Sequence, residues 1–275
     1  GAGKTTLMNA HMPFIPYRDR PISIDEGSRE VQIPHETGVS LTTRDHERDH
    51  RRVTMADLMT QCNYLNPDVE VIAEINTKAS FETFAETLNT GHGVLGTTHA
   101  ADVETLVNRI IEKGVPTYLL SEIDLVVFPR HVRGERYVGE VVEFLDEPLD
   151  GDRGDTIEKD GEQIHYNTLC RHRPDGSFDL AYDHPQLGDS HRRVDTGIFD
   201  RLARLRDEPV ETVEETFHRR HRYVQYLVRE GITDFQELFG VLADLETNEA
   251  ATVERLRRQS GQRDPLHLEV ETDDD

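Results

Sequence analysis

A short run rich in glycine, lysine and threonine opens the chain: Gly1-Ala2-Gly3-Lys4-Thr5-Thr6. Such a run before a helix predicts a phosphate-binding loop, because amides at a helix N-terminus and a lysine attract phosphate oxygens. We expect Lys4 to reach the β and γ oxygens of ATP and the Thr5 hydroxyl to bind Mg²⁺. The predicted nucleotide-binding residues are Gly1, Gly3, Lys4, Thr5 and Thr6. A plain glycine-rich turn is the alternative.

Carboxylates stand at the ends of two predicted strands. Glu74 closes an apolar run, and a carboxylate at a strand end beside a phosphate loop can orient and deprotonate water. Glu70 lies in the middle of the same strand, and an ordinary edge-strand glutamate is the alternative for Glu74. Asp25 and Glu26 end the other strand, where they could hold Mg²⁺ or its waters. Taken alone, this segment is more simply interpreted as a solvated turn.

Two histidines, His92 and His99, flank a third predicted strand, Gly93 to Thr98. The strand contains more glycine than packing alone predicts. The two histidines could therefore touch a γ-phosphate or a neighbouring subunit. A satisfied surface histidine is the alternative for either one.

Strands that alternate with helices of about 10 to 15 residues predict parallel βα units over residues 1–130. The pattern predicts helices at Thr5–Met12, Met55–Leu65 capped by Thr54, Ala79–Leu88 and Asp102–Lys113. It predicts strands at Pro21–Asp25, Val69–Ile75, Gly93–Thr98, Leu125–Phe128 and Tyr137–Leu145. A phosphate-binding loop needs a strand leading into it, so we expect the chain to be a piece of a longer protein that binds ATP poorly as given.

The later part of the chain has a different pattern. Residues 146–162 predict an acidic loop, and two short runs joined by Pro174-Asp175-Gly176 predict a β-hairpin. A helical pattern follows from Asp195, with a capping box at Thr233–Gln236. The predicted division is 1–145, an α/β core; 146–194, loop and hairpin; 195–262, helices; and 263–275, a disordered acidic tail.

The chain carries 31 Lys and Arg against 54 Asp and Glu, a net charge of −23. This excess disfavours nucleic acid as the main partner, since phosphate backbones attract basic surfaces. It resembles the composition of proteins from a high-salt cytoplasm, which indicates a halophilic source. Cys62 and Cys170 cannot form a disulfide framework, and no stretch reaches the roughly 20 apolar residues of a membrane-spanning helix.

Together, these segments resemble the secretion-superfamily ATPases of type II secretion, type IV secretion, type IV pili and archaella. The most specific match is Gly91-His92-Gly93 through Thr98-His99-Ala100, which fits the family's His box, G-H-G-x-x-x-T-x-H-A. Val53 to Leu58, before Asn66-Pro67-Asp68, is similar to a segment of archaeal members. With the acidic composition, an archaeal pilus or archaellum motor is the nearest resemblance.

The resemblance implies a RecA-like P-loop core with a parallel sheet, from the C-terminal part of a homo-hexamer that hydrolyses Mg-ATP. It implies a cytoplasmic protein at the inner face of the membrane that drives a polytopic platform protein and, indirectly, pilin-like subunits. Glu74 would be the catalytic glutamate, and His92 and His99 would sense the γ-phosphate. Arg44, and also Arg29, would stabilise charge in the transition state. Asp25, Glu26 and Glu30 would form the family's acidic box.

Three residues depart from the family pattern: Asn66, Ala73 and Asn76 stand where the family has Arg, Gly and Arg. The alternative hypothesis is therefore a degenerate scaffold subunit that binds nucleotide and hydrolyses little. A DNA pump is disfavoured by the negative charge. The sequence leaves open whether the machine is a pilus, an archaellum or another secretion system, and whether it extends or retracts its filament.

Overall fold

The structure is a computed structural model that describes residues 2–149, 154–159, 161–181 and 196–259. The chain divides into two compact units between Leu180 and Ala181. This boundary differs from the predicted end of the α/β core at residue 145, because the predicted hairpin belongs to the first unit. The predicted acidic tail, residues 263–275, lies outside the described residues.

A four-stranded parallel sheet forms the first half of unit one, in the order β2-β1-β3-β4. Its strands are β1, Pro21–Asp25; β2, Val39–Thr42; β3, Val69–Ile72; and β4, Gly93–Gly96. The helices of this half are α1, Lys4–His11; α2, Met55–Tyr64; α3, Lys78–Leu88; and α4, Val103–Glu112. All three strand pairs are parallel, so the carboxyl ends of the four strands meet at one edge of the sheet.

Local signals explain where the helices begin. The Thr54 side chain accepts from the Asp57 amide and Asp57 accepts from the Thr54 amide, a capping box that starts α2 as the sequence predicts. Asp102 caps α4 by accepting from the Thr105 amide at 2.8 Å. The apolar face of α4 packs into the core through Val103, Leu106, Val107 and Ile110.

Antiparallel strands complete the first unit in a second sheet, ordered β5-β6-β8-β7 with β9 also paired to β8. The strands are β5, Val126–Val132; β6, Glu135–Leu145; β7, Asp155–Lys159; β8, Glu162–His172; and β9, Phe178–Leu180. The β8–β9 pair confirms the predicted hairpin. The prediction of loop for residues 146–162 is wrong at β7, whose polar side chains can face water because β8 supplies its backbone hydrogen bonds.

Helices make up the described part of the second unit: α5, Gly197–Arg206; α6, Val210–Arg229; α7, Phe235–Thr247; and α8, Glu249–Gln259. Buried side chains from α6, α7 and α8 form one cluster, around Tyr226, Leu245 and Leu256. The predicted cap of α7 is wrong by one residue. Asp234, not Thr233, accepts from the Gln236 and Glu237 amides, since its carboxylate is an equally good cap.

Among the described residues, no helix combines the length and the apolar character needed to cross a membrane.

Candidate functional site

Three predicted site residues contact one another at the carboxyl edge of the parallel sheet. The His99 Nε2 atom lies 2.6 Å from Glu74 Oε1, and the His99 Nδ1 atom lies 3.3 Å from Lys4 Nζ. Glu74 and His99 are partly exposed, with 31% and 61% of their side-chain surfaces accessible. A single histidine thus touches both the lysine and the glutamate, and solvent can reach the group.

Lys4 reaches this group from the first turn of α1. Gly3, the residue before the helix, has φ of +93°, a left-handed conformation that glycine adopts without strain. The first turn of α1 carries no acidic side chain, so its free amides and the helix dipole favour an anion. Thr5 and Thr6 belong to the same turn. Gly1, which the sequence predicts to bind nucleotide, lies outside the described residues.

Hydrogen bonds hold the segment of Glu74 against the segment that leads to His99. The Ile75 amide donates to the Thr97 carbonyl at 2.8 Å, and the Thr98 hydroxyl donates to the Ile75 carbonyl at 2.8 Å. The Thr97 hydroxyl donates to the Ala73 carbonyl. The two threonines follow β4 and fix the loop that positions His99. Sequence reasoning did not select them, although Thr97 is part of the His-box pattern.

Close packing explains one of the glycines in β4. A Cβ atom added at Gly96 would lie 3.0 Å from the Ile75 Cδ1 atom, next to Glu74 in the chain. A Cβ atom at Gly96 would require the end of the Ile75 side chain to shift by a few tenths of an ångström. The prediction that packing cannot explain the glycines of this strand is therefore wrong at Gly96.

Asp25 uses its carboxylate to hold a backbone loop. Its side chain is fully buried, and Oδ1 accepts from the amides of Glu30 at 3.1 Å and Val31 at 3.0 Å. Glu26 is exposed, next to Gly27, whose amide donates to the Thr43 hydroxyl at 2.9 Å. Of the two predicted metal-binding carboxylates, Glu26 is the one whose side chain faces solvent.

The two predicted arginines make no described contact with the group formed by Lys4, Glu74 and His99. Arg44 is exposed, pairs through its backbone with Val53, and donates from Nε to the Arg51 carbonyl at 2.8 Å. Arg29 is exposed in the loop after β1. Neither is brought to the Lys4, Glu74 and His99 group by a described contact.

The structure places His92 and His99 at opposite ends of β4. His92 precedes the strand, and its Nε2 atom lies 3.5 Å from Glu70 Oε2, while the Thr90 hydroxyl lies 3.0 Å from His92 Nδ1. Glu70 is fully buried, and burial raises the pKa of its carboxyl to about 7. Burial also lowers the pKa of His92. Burial thus favours the neutral forms of both groups, and His92 does not join the Lys4 group.

Mg²⁺ prefers several oxygen ligands, including phosphate and water. The residues that the structure describes contain no group of three or more His, Cys, Asp or Glu side chains arranged to hold a metal ion. Thr5, in the turn that carries Lys4, and the exposed Glu26 supply oxygen donors suited to a cation bound together with a phosphate. The residues present therefore fit a metal that arrives with its nucleotide, and not a metal held by protein side chains alone.

Comparison with known proteins identifies the family of the chain. Residues 1–150 match the family described as type II/IV secretion system protein. An uncharacterized protein of Methanocaldococcus jannaschii is 29% identical over 152 residues, which are 52% of this chain and 56% of the relative. The type IV secretion system protein VirB11 of Brucella suis is 30% identical over 113 residues, 40% of this chain and 31% of the relative.

A third relative is the type II secretion system protein E of Pseudomonas aeruginosa, 28% identical over 132 residues, 48% of this chain and 25% of the relative. The crystal structure of the VirB11 ATPase from Brucella suis, in complex with sulphate, matches with a TM-score of 0.43 and 26% identity. It covers 51% of this chain and 46% of that one.

The chain belongs to the type II/IV secretion system protein family. The matched part of the chain spans 23% of one relative from Methanocaldococcus jannaschii and 56% of another.

Proposed function

We propose that this chain carries the ATP-hydrolysing site of a motor subunit in a secretion-type machine. The observation that carries the proposal is the contact of His99 with both Lys4 and Glu74 at the N-terminus of α1. An anion-binding helix end, a cation, and a carboxylate that can serve as a base are the parts that phosphoryl transfer to water requires. VirB11 of Brucella suis, a relative in sequence, is described as an ATPase, which supports the same activity here.

Binding begins at α1. The phosphates of ATP accept from the free amides of the first turn, and the Lys4 ammonium neutralises part of their charge. Thr5 and Glu26 would hold Mg²⁺ beside the phosphates. When bound, the metal neutralises charge on the phosphate oxygens.

Water is activated by Glu74. A carboxylate near the γ-phosphate accepts a proton from the attacking water and orients its lone pair for in-line attack. With its ring hydrogen on Nε2, His99 donates to Glu74 Oε1 and accepts from Lys4 Nζ through Nδ1. A phosphate that draws Lys4 away would change what His99 contacts, so His99 can report phosphate binding to Glu74. We propose His99, rather than His92, as the γ-phosphate sensor.

The wider assembly follows from the family. We propose a RecA-like core within a homo-hexamer, in the cytoplasm at the inner face of the membrane, that acts on a platform protein and, through it, on pilin-like subunits. An archaeal pilus or archaellum machine is supported by the relatives from Methanocaldococcus jannaschii, an archaeon, and by the acidic composition. The transition-state arginine, Arg44 or Arg29, would have to move toward the phosphates after nucleotide binds.

A scaffold with weak hydrolysis is the second candidate, and the residue at position 76 favours it. Asn76 replaces a family arginine, and its Oδ1 accepts from the Arg109 Nη2 atom at 3.3 Å. The family's charge at position 76 is therefore absent two residues after Glu74. Tight ATP binding with negligible turnover, and turnover regained in Asn76→Arg, would support the scaffold.

The test of the main proposal is Mg-ATP binding and turnover by Lys4→Ala in the protein at its natural length. We expect a loss of ATP affinity of about tenfold to 100-fold, because a charge-assisted hydrogen bond to phosphate is lost. Lys78→Ala is the matched control, since Lys78 is an exposed lysine at the start of α3 whose ammonium pairs with Glu82 at 3.6 Å. Unchanged affinity and turnover in Lys4→Ala would overturn the proposal.

A further inference from the structure

An arginine from the second sheet lies against the loop that precedes α1. A Cβ atom added at Gly3 would lie 3.2 Å from the Arg136 Cδ atom and 3.8 Å from its Nε atom. The end of the Arg136 side chain, where the guanidinium begins, therefore lies close to the backbone at Gly3. Gly3 is the residue whose carbonyl accepts the first hydrogen bond of α1, from Leu7 at 2.9 Å.

The β5–β6 hairpin accounts for this position. Arg133 and Gly134 form its turn with φ of +52° and +91°, and both positive values match the tight turns that suit hairpin twist. Arg136 is the second residue of β6 and pairs with His131 of β5. A residue so close to a tight turn has a well-defined backbone, so its side chain is held near Gly3 by two strands and not by a free loop.

Within the described part of the chain, Arg136 lacks the acidic partner that Arg171 and Arg173 each have. Arg171 pairs with Glu140 at 2.7 Å, and Arg173 pairs with Asp179. Among the residues that the structure describes, no carboxylate lies within ion-pairing distance of Arg136. In a chain with net charge −23, an exposed arginine without an acidic partner is directed at a place that already holds Lys4.

We propose that Arg136 is a second phosphate-binding residue of this site, acting from the same chain on the polyphosphate of the nucleotide. The inference rests on the proposed nucleotide site. Two cations near one helix N-terminus repel each other unless an anion lies between them. A nucleoside triphosphate carries enough negative charge to be bound by both.

Lys4 and Arg136 would contribute in different ways. An ammonium is a compact point charge, whereas a guanidinium offers a planar fork of donors that can hold two phosphate oxygens at once. Arg136 would therefore fix the orientation of the polyphosphate as well as neutralise it. Glutamine at this position removes the charge, and lysine keeps the charge but loses the fork.

The test compares Arg136→Gln and Arg136→Lys at natural length, with Mg-ATP and inorganic pyrophosphate as ligands. We expect Arg136→Gln to weaken both ligands by a similar factor, about tenfold or more, since the lost hydrogen bonds are to a charged group. Pyrophosphate has no base or ribose, so a matching loss identifies the phosphates as the ligand. Arg136→Lys should recover part of the affinity.

Arg133→Asn is the matched control, because it removes one positive charge from the same hairpin. Asparagine tolerates the left-handed conformation of the turn, and no Arg133 atom lies within 4 Å of the Cβ position at Gly3. We expect the affinities of Arg133→Asn to stay within about twofold of the unmodified protein, as for most surface changes. A loss equal to that of Arg136→Gln would mean that only the general charge of the hairpin matters, and would overturn the proposal.

Lys4→Ala, measured in the same assay, separates two kinds of failure. If Lys4→Ala loses ATP and pyrophosphate but Arg136→Gln keeps both within about twofold, the Arg136 inference is wrong and the nucleotide site stands. If neither variant loses affinity, the nucleotide site itself is wrong. Tighter binding in Arg136→Gln would show that the arginine blocks the phosphate, which also overturns the inference. If Arg136→Gln does not fold, the test rests on Arg136→Lys. An Arg136→Lys variant that binds both ligands as tightly as the unmodified protein would contradict the proposed role of the guanidinium fork.

Discussion

The two histidines of the G-H-G-x-x-x-T-x-H-A pattern occupy different environments. His99 is largely exposed and touches Lys4 and Glu74, while only 14% of the His92 side chain is accessible, beside Glu70. The pattern brings both residues to one strand but does not say which end each occupies. Since β4 is only four residues long, the seven-residue spacing carries the pair from one edge of the sheet to the other. The spacing in the sequence is therefore enough to predict that the two histidines lie at opposite ends of the strand.

Glu70 gives a prediction about stability and pH. Its carboxyl pKa is raised from 4.5 to about 7 in the folded chain, so between these values the folded state keeps a proton that the unfolded state has lost. Stability should fall as pH rises from about 5 to 7, by about 3 kcal/mol in total. Glu70→Gln removes this dependence. We expect its thermal midpoint to rise relative to the unmodified protein far more at pH 8 than at pH 5.

Glu86→Gln is the control for that experiment, because it is the same change at an exposed position on α3. Its thermal midpoint should track the unmodified protein at both pH values. A Glu70→Gln variant with the same advantage at pH 5 as at pH 8 would contradict the buried, proton-holding carboxyl.

At the scale of elements, helices and strands with strong local sequence signals were predicted, and strands with weak signals were missed. The strand Pro21–Asp25 and the cap of α2 were predicted, because a buried β run and a Thr-x-x-Asp box are each decided by neighbouring residues. Strand β2, Val39–Thr42, was missed, since four residues with no buried side chain show little pattern. Strand β7 was missed because its acidic composition is typical of loops, and only pairing with β8 makes it a strand.

The contact between Arg136 and Gly3 had no sequence signal either. It joins two residues that are more than a hundred positions apart in the chain, and it depends on how the β5–β6 hairpin lies against the start of α1. Motif spacing can identify Lys4, Glu74 and His99 because a family pattern contains them. It cannot identify a side chain that reaches the site from outside the pattern.

The cap of α2 can be tested directly. Thr54→Ala removes the hydroxyl that accepts from the Asp57 amide at 3.2 Å and donates to the Asp57 carboxylate at 2.7 Å. We expect a loss of about 1 kcal/mol in the free energy of unfolding, since an N-cap threonine contributes about that much. Urea unfolding near neutral pH, where Asp57 is ionised, measures it.

Thr60→Ala is the matched control on the same helix. Thr60 is exposed, and its hydroxyl donates to the Ala56 carbonyl within α2 at 3.0 Å, so its removal should change stability by less than about 0.5 kcal/mol. Equal losses in the two variants would mean that the capping box does not stabilise α2.

At the scale of the whole molecule, charge is the dominant property. A net charge of −23 on 275 residues makes the folded chain repel itself, and salt screens that repulsion. The family match ends at residue 150, so it lies within the first unit, which also contains the predicted site residues. The second unit has a helical core of its own and carries none of the predicted site residues.

The charge predicts how stability responds to salt. Raising NaCl from about 0.1 M to about 1 M, which shortens the screening length from about 10 Å to about 3 Å, should raise the thermal midpoint. Sucrose at matched osmolality is the control for general exclusion effects. A midpoint that rises no more in NaCl than in sucrose would contradict self-repulsion and, with it, the high-salt interpretation of the composition.

The central claim is that Glu74 activates water for ATP hydrolysis at the Lys4 and His99 group. The most direct test is the steady-state rate of Mg-ATP turnover by Glu74→Gln in the protein at its natural length, with ATP affinity measured on the same sample. The account predicts that turnover falls by about 100-fold or more while ATP still binds, because glutamine keeps the shape but cannot accept the proton. Turnover that survives Glu74→Gln unchanged would contradict it.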